Sequence, residues 1–398
     1  MRTSTPTAAR PPQVEGMIAV GFETVVEAFA QVAAGDHEGC ALAVYLDGRP
    51  VVDLWGGKAS DREPWREDTL AQTFSVVKGV AAAVVLLLHD RRELDIDAPI
   101  AHYWPEFGTA GKEKAPVSSI LTHTVGLPWV EGHESLLTLD DGPAWSRIDG
   151  VLERLAAAAP VWAPGSRSGY HSITGGLLLG EVVRRATGRS LGAWFRAAVA
   201  EPLELDYWIG LPPAYEVRAA TLVSDPELDS DRVAALVHPG TPVGKALFVG
   251  SRKRIGRAFA ETYAHPTFTR QELPSTSGIG DARSLARLYA ALARGGELDG
   301  VRLCGRGTIS RFARERICGA DAIWPVEFRL GLGFLLPHEP FDFSPGTHAF
   351  GHPGIGGSVA FADPEHRLGF AWITRRLDPG FALDARAARL IDATYAAL

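Results

Sequence analysis

Strand-forming segments lie at both ends of this chain and helix-forming segments lie between them, and no other feature restricts its fold so strongly. Residues 40–57, CALAVYLDGRPVVDLWGG, carry two β-rich runs around Asp47-Gly48, a dipeptide of tight hairpin turns. Three more strand patterns come late in the chain, over residues 328–336, 349–362 and 368–375. Between them the apolar spacing is helical, over 75–89, 117–122, 149–158, 173–187, 191–199 and 281–294. Further helices are expected over 384–396 and over 16–34, the latter with Ile18, Phe22, Val25, Val26 and Phe29 on one side. Residues 206–274 are the least legible stretch and carry no clear pattern. The layout predicts an α/β (α+β) fold: one antiparallel sheet built from both termini and flanked by helices, with a mostly helical insertion. We expect a disordered lead over 1–15, an α/β domain from 16–68 and 276–398, a mostly helical domain over 69–275, and an active site between the two domains.

Composition narrows the function. Forty Lys and Arg against 47 Asp and Glu leave a net charge of −7, the wrong sign for a nucleic-acid binder. Cys40, Cys304 and Cys318 are too few and too scattered for a disulfide framework or a zinc site. The polar, Pro-rich start does not read as a secretory signal. The longest apolar run, residues 80–88, is far short of a membrane span. A cytoplasmic protein is expected, with no cofactor, no metal, and no nucleic-acid or membrane partner. The basic run at residues 251–254 with Arg257 reads as a solvated loop.

Four short motifs carry chemistry. Ser75-Val76-Val77-Lys78 opens an apolar helix and places Ser75 and Lys78 one turn apart on one face. The hydroxyl lies in the positive end of the helix dipole, and a partly buried amine can lose its proton and serve as its base. In isolation the same residues read equally as a Ser cap and a solvated Lys. Tyr170-His171-Ser172 offers a phenol that exchanges protons beside an ammonium, or else a core tyrosine. Gly351-His352-Pro353-Gly354-Ile355-Gly356-Gly357-Ser358 leaves a strand edge bare for a ligand, or forms a glycine-rich turn. Leu121-Thr122-His123-Thr124 presents His123, which reads as a buried histidine holding a loop beside the site. No G-x-S-x-G elbow, H-E-x-x-H motif, phosphate-binding loop or dinucleotide fingerprint is present.

Taken together and in this order, the motifs resemble those of the serine β-lactamase and penicillin-binding-protein superfamily, closest to its class C β-lactamase-like branch with the family VIII carboxylesterases. The phrases LLLHDRRELDIDAPI, SSILTHTVGLP and FGHPGIGGSVAFADPE share that resemblance, which runs from about residue 16 to the end and weakens over 206–274. It implies a β-lactamase-like fold and a set of roles. Ser75 would be the acyl-accepting nucleophile. Lys78 would be the base, sharing its proton with Tyr170, and Tyr170 would protonate the leaving group and later activate the incoming nucleophile. The N–H groups of Ser75 and Ile355 would form the oxyanion hole. His352 would stand where the family's third-motif Lys stands. Ser172, Gly354 and Trp129 would contact substrate, and Trp162 and Trp208 are further candidates for an acyl pocket.

Three departures bear on substrate. His352 replaces that Lys, Pro353 replaces a Thr, and Ser172 replaces an Asn common in lactam-binding relatives. All three point away from β-lactams and cell-wall peptides and toward esters. The expectation is an enzyme, a serine acyl-transfer catalyst that hydrolyses a small carboxylic ester through an acyl-Ser75 intermediate. The alternative is a transacylase that passes the acyl group to an amine or alcohol of a metabolite. β-Lactamase or peptidase activity and a non-catalytic binding homologue rank below both.

Overall fold

The computed structural model describes residues 14–36, 38–133, 138, 147–249 and 255–398. Six strands make the main sheet: β1 (Val14–Ile18), β2 (Cys40–Leu46), β3 (Arg49–Gly56), β4 (Phe350–Pro353), β5 (Val359–Asp363) and β6 (Leu368–Thr374). Their order is β1-β3-β2-β6-β5-β4, and every neighbouring pair is antiparallel. The sheet therefore joins the two ends of the chain, as the distribution of strand patterns requires. Asp47 and Gly48 both have positive φ, the geometry of the tight turn that links β2 and β3.

Helix α4 (Ala282–Ala293) covers one face of the sheet. It comes so close that a Cβ at Gly369 would lie 2.3 Å from the Ala286 carbonyl oxygen. Ala43 and Ala371, paired across β2 and β6, keep the same approach open. Helices α1 (Glu23–Asp36) and α5 (Ala385–Ala396) pack together, and Phe29 of α1 meets Trp372 of β6 edge-on at 6.1 Å. Cover on both faces explains why β2 and β6 are almost continuously apolar rather than alternating.

Helix α2 (Val76–Asp90) is apolar all round because it is buried all round, from Val76 to Leu88, and it lies against β4. A small three-stranded sheet of Ala71–Gln72, Gly278–Gly280 and Tyr207–Ile209 feeds the chain into it. The Thr73 N–H donates to the Gly278 carbonyl at 2.8 Å, which fixes the residue two before Ser75. Helix α3 (Thr174–Thr187) begins just after Tyr170 and Ser172.

Some sequence expectations need correction. Residues 1–13 of the expected lead lie outside the described residues, but Val14 and Glu15 belong to β1. Gly16, Met17 and Ile18 are strand, and the first helix starts only at Glu23. An edge strand bonded on one side shows no clear alternation, so its Ile18 blended into the helical spacing that follows. The strand expected over 328–336 stops at Leu330 and pairs with Ile317–Ala320 instead of joining the main sheet. The turn at Gly331 and Gly333 ends it, and only Leu335 rejoins the strands, by a bridge to Gly351. Of the basic run, 251–254 lie outside the described residues, and Arg257 pairs with Glu261 at 2.6 Å.

Candidate active site

Ser75 stands at the head of α2 without capping it. Its backbone is already helical, with φ −65° and ψ −9°, and its hydroxyl bonds to none of the first-turn N–H groups. The residue before it, Phe74, is held at φ +50°, a conformation costly for any side chain with a Cβ. Lys78 is 8% exposed. Its Nζ lies 3.2 Å from Ser75 Oγ, 2.8 Å from the Ser275 carbonyl oxygen and 3.0 Å from that of Ser172. Burial alone drives its ammonium well below the usual lysine range. This is neither a capping serine nor a solvated lysine.

Tyr170 completes the group. The Lys78 amine sits 4.8 Å from the centre of its ring, and its Oη is 3.4 Å from His352 Nε2. The His352 Nδ1–H donates to the Pro353 carbonyl at 2.6 Å, so the Nε2 of the neutral ring is the acceptor and the phenol O–H points to it. Burial, with Lys78 nearby, holds His352 down to about 3. Burial also pushes the Tyr170 phenol well above its usual value, against a hydrogen bond with Ser75 that acts the other way. Both shifts favour the uncharged forms, a neutral imidazole and a protonated phenol.

The Ser75 and Ile355 N–H groups have no hydrogen-bond partner among the described residues. Ile355 follows Gly354, where a Cβ would lie 2.3 Å from the Thr73 carbonyl oxygen, so glycine is what lets this strand end approach the head of α2. His123 takes the structural place expected of it. Its ring lies 4.6 Å from that of Tyr170, its Nδ1 accepts the His171 N–H at 3.2 Å, and its carbonyl accepts the Gly169 N–H at 3.0 Å. His171, not singled out from sequence, donates to the Gly169 carbonyl and accepts the Leu127 N–H, and burial holds it near 3.

A cleft of about 750 Å³, counting its open mouth, lies against Ser75, Tyr170, Ser172, His352, Gly354 and Ile355. Its remaining wall is mostly aromatic and aliphatic, and no Lys, Arg, Asp or Glu is among the described residues that line it. Trp129, expected to contact substrate, is not part of this wall. Its indole stacks over the Lys245 ammonium at 5.2 Å and bonds to Glu131. Trp162 and Trp208 do not line it either; Trp324 does.

Two residues invisible to motif reading hold the site together. Trp324 donates its indole N–H to Ser172 Oγ at 3.2 Å. Asp321 accepts the backbone N–H groups of Tyr170, Ile323 and Trp324, each at 2.9 Å to one of its oxygens. An Asp that bonds its own chain two and three residues on is a legible turn signal. Its reach to Tyr170, across 151 positions, is not. Asp321→Ala is expected to lower stability by about 2–3 kcal/mol, because buried N–H groups lose their acceptor. Urea denaturation measures it, and Asp321→Asn, which retains an acceptor oxygen, should recover much of the loss.

A family model described as Beta-lactamase matches residues 22–394. The esterase/beta-lactamase LipL of Mycobacterium tuberculosis is 35% identical over 382 residues, covering 89% of this chain and 81% of that protein. Among solved structures, a penicillin-binding-protein homolog from Caulobacter crescentus superposes with a TM-score of 0.82 at 35% identity, over 97% of this chain and 100% of the other. A family VIII carboxylesterase superposes with the same TM-score at 34% identity and the same coverage.

Proposed function

The chain belongs to the beta-lactamase family and is a serine hydrolase, and from that premise we propose that it cleaves neutral carboxylic esters through an acyl-Ser75 intermediate. One observation carries the choice of substrate: the described residues that line the cleft beside Ser75 include no Lys or Arg, and His352, whose charged form burial disfavours, faces it. A substrate carboxylate entering there would lose its water and find no cation among these residues. An uncharged ester loses little.

The proton path follows from counting donors. A neutral Lys78 amine has two N–H groups and one lone pair. The Ser172 and Ser275 carbonyls can only accept, so they take both N–H groups. The lone pair is left to take the Ser75 proton, with Nζ 3.2 Å from Oγ. Lys78 takes that proton as Oγ attacks the ester carbon, and the Ser75 and Ile355 N–H groups receive the charge that develops on the carbonyl oxygen. Tyr170 gives its proton to the departing alkoxide and regains one from Lys78. The exchange reverses when water attacks the acyl-enzyme and frees Ser75.

A matched pair tests the substrate class. p-Nitrophenyl valerate and p-nitrophenyl hydrogen glutarate differ by a terminal carboxylate. The expected kcat/KM ratio is about 10³ in favour of the neutral ester, the scale of one unpaired buried charge. Equal rates would overturn the neutral-ester reading.

A further inference from the structure

The segment that carries Asp321 and Trp324 also separates the cleft from a second, open groove. Trp324 and Val326 line both. Beyond them the groove is bounded by Ala320, Glu327, His338 and Pro340. Trp324 is 8% exposed and is held at three points. Its backbone N–H bonds to Asp321 Oδ1 at 2.9 Å, its indole N–H to Ser172 Oγ at 3.2 Å, and its ring packs on Phe381 at 5.1 Å. Asp321 in turn holds the Tyr170 N–H, so the indole is tied to the same frame as the phenol. A side chain anchored in this way is a fixed wall. It stands beside Ser172, whose carbonyl holds Lys78, and shares the cleft wall with Ser75, so it meets one arm of an ester bound at Ser75.

We propose that Trp324 sets how far one arm of the substrate can extend, restricting the enzyme to esters compact on that side, and that removing the indole joins the cleft to the groove. This rests on Ser75 as the esterase nucleophile. Bulk does the work in this proposal: a pocket rejects surplus methylenes by steric exclusion, on the order of 10–200-fold in kcat/KM. The indole N–H serves to hold the ring in place.

The test uses two series, p-nitrophenyl acetate, hexanoate and dodecanoate for the acyl arm, and ethyl, hexyl and decyl acetate for the alcohol arm. The readout is the long-to-short ratio of kcat/KM in the wild type, Trp324→Ala, Trp324→Leu and Trp324→Phe. In one series only, Trp324→Ala should raise the ratio by about 10–100-fold. Trp324→Leu should raise it less, and Trp324→Phe should stay near the wild type because it refills the space without the N–H. Trp324→Leu carries the test by itself if the alanine variant does not fold. An unchanged ratio in both series overturns the proposal. So does an equal rise in both, which is general loosening, or a phenylalanine variant that behaves like alanine. Intact-mass detection of an acetyl group on Ser75 is run alongside. No Ser75 adduct in the wild type would refute the nucleophile assignment, whereas a normal adduct with unchanged ratios would refute only the wall.

Discussion

Ser75→Ala is expected to abolish the acyl adduct and to lower turnover of a short activated ester by at least about 10⁴-fold, the scale on which nucleophile deletions act. Mixing the wild type briefly with p-nitrophenyl acetate should add one acetyl mass, which peptide mapping places on Ser75. The cleft contains a competing hydroxyl: Thr276 lines it, and its Oγ1 is buried without a hydrogen-bond partner among the described residues. The two differ in their base. Lys78 lies 3.2 Å from Ser75 Oγ, and its other two bonds go to carbonyls, leaving nothing for Thr276. Acetyl mass on Thr276, or turnover in Ser75→Ala within tenfold of the wild type, would show that the nucleophile lies elsewhere.

The second large effect belongs to Lys78. Its lone pair must be free, so activity should increase with pH as the ammonium loses its proton. Burial lowers that titration well below the ordinary lysine range, so the rising limb of kcat/KM lies on the acid side of it. Lys78→Arg keeps a permanent charge where a neutral amine is needed and should cost about 10²–10⁴-fold across the whole pH range, with the limb gone. The limb should survive in His352→Ala, with a partial loss of rate, because an imidazole held near 3 contributes no proton in that range. A limb that disappears with His352→Ala and persists in Lys78→Arg would reverse the assignment of the base.

The parts of this enzyme that could be read in advance are those where side-chain identity and spacing express a demand of the fold. The strand runs at 40–46, 359–363 and 368–374 are apolar because both faces of the sheet are covered, and their β-rich composition marks them as strands. Ser75 and Lys78 are legible because one helical turn separates them on a helix buried along its length. The remainder acts through backbone atoms or over long loops. Ser275 matters through its carbonyl, which any residue supplies. Asp321 and Trp324 act on Tyr170 and Ser172 across about 150 residues, with no periodicity linking them. Trp129 and Trp324 look alike in sequence, and only the course of the chain determines which indole reaches the cleft. Residues 206–274 are hard to read because most of their helices are short, as at Asp231–Leu236 and Pro242–Ala246, and helices of five or six residues leave little periodicity to detect.

The central seam of the main sheet runs between β2 and β6, where Cys40 lies opposite Thr374. On the ribosome the β2–β3 hairpin is made about 320 residues before the strand that covers the open side of β2, since Leu46 pairs with Leu368. Until then an apolar strand, buried along nearly all its length in the finished protein, presents unpaired N–H and C=O groups to any other nascent chain. The sheet that carries His352 therefore cannot close until that late strand arrives, and an edge left open in this way is one that chaperones shield.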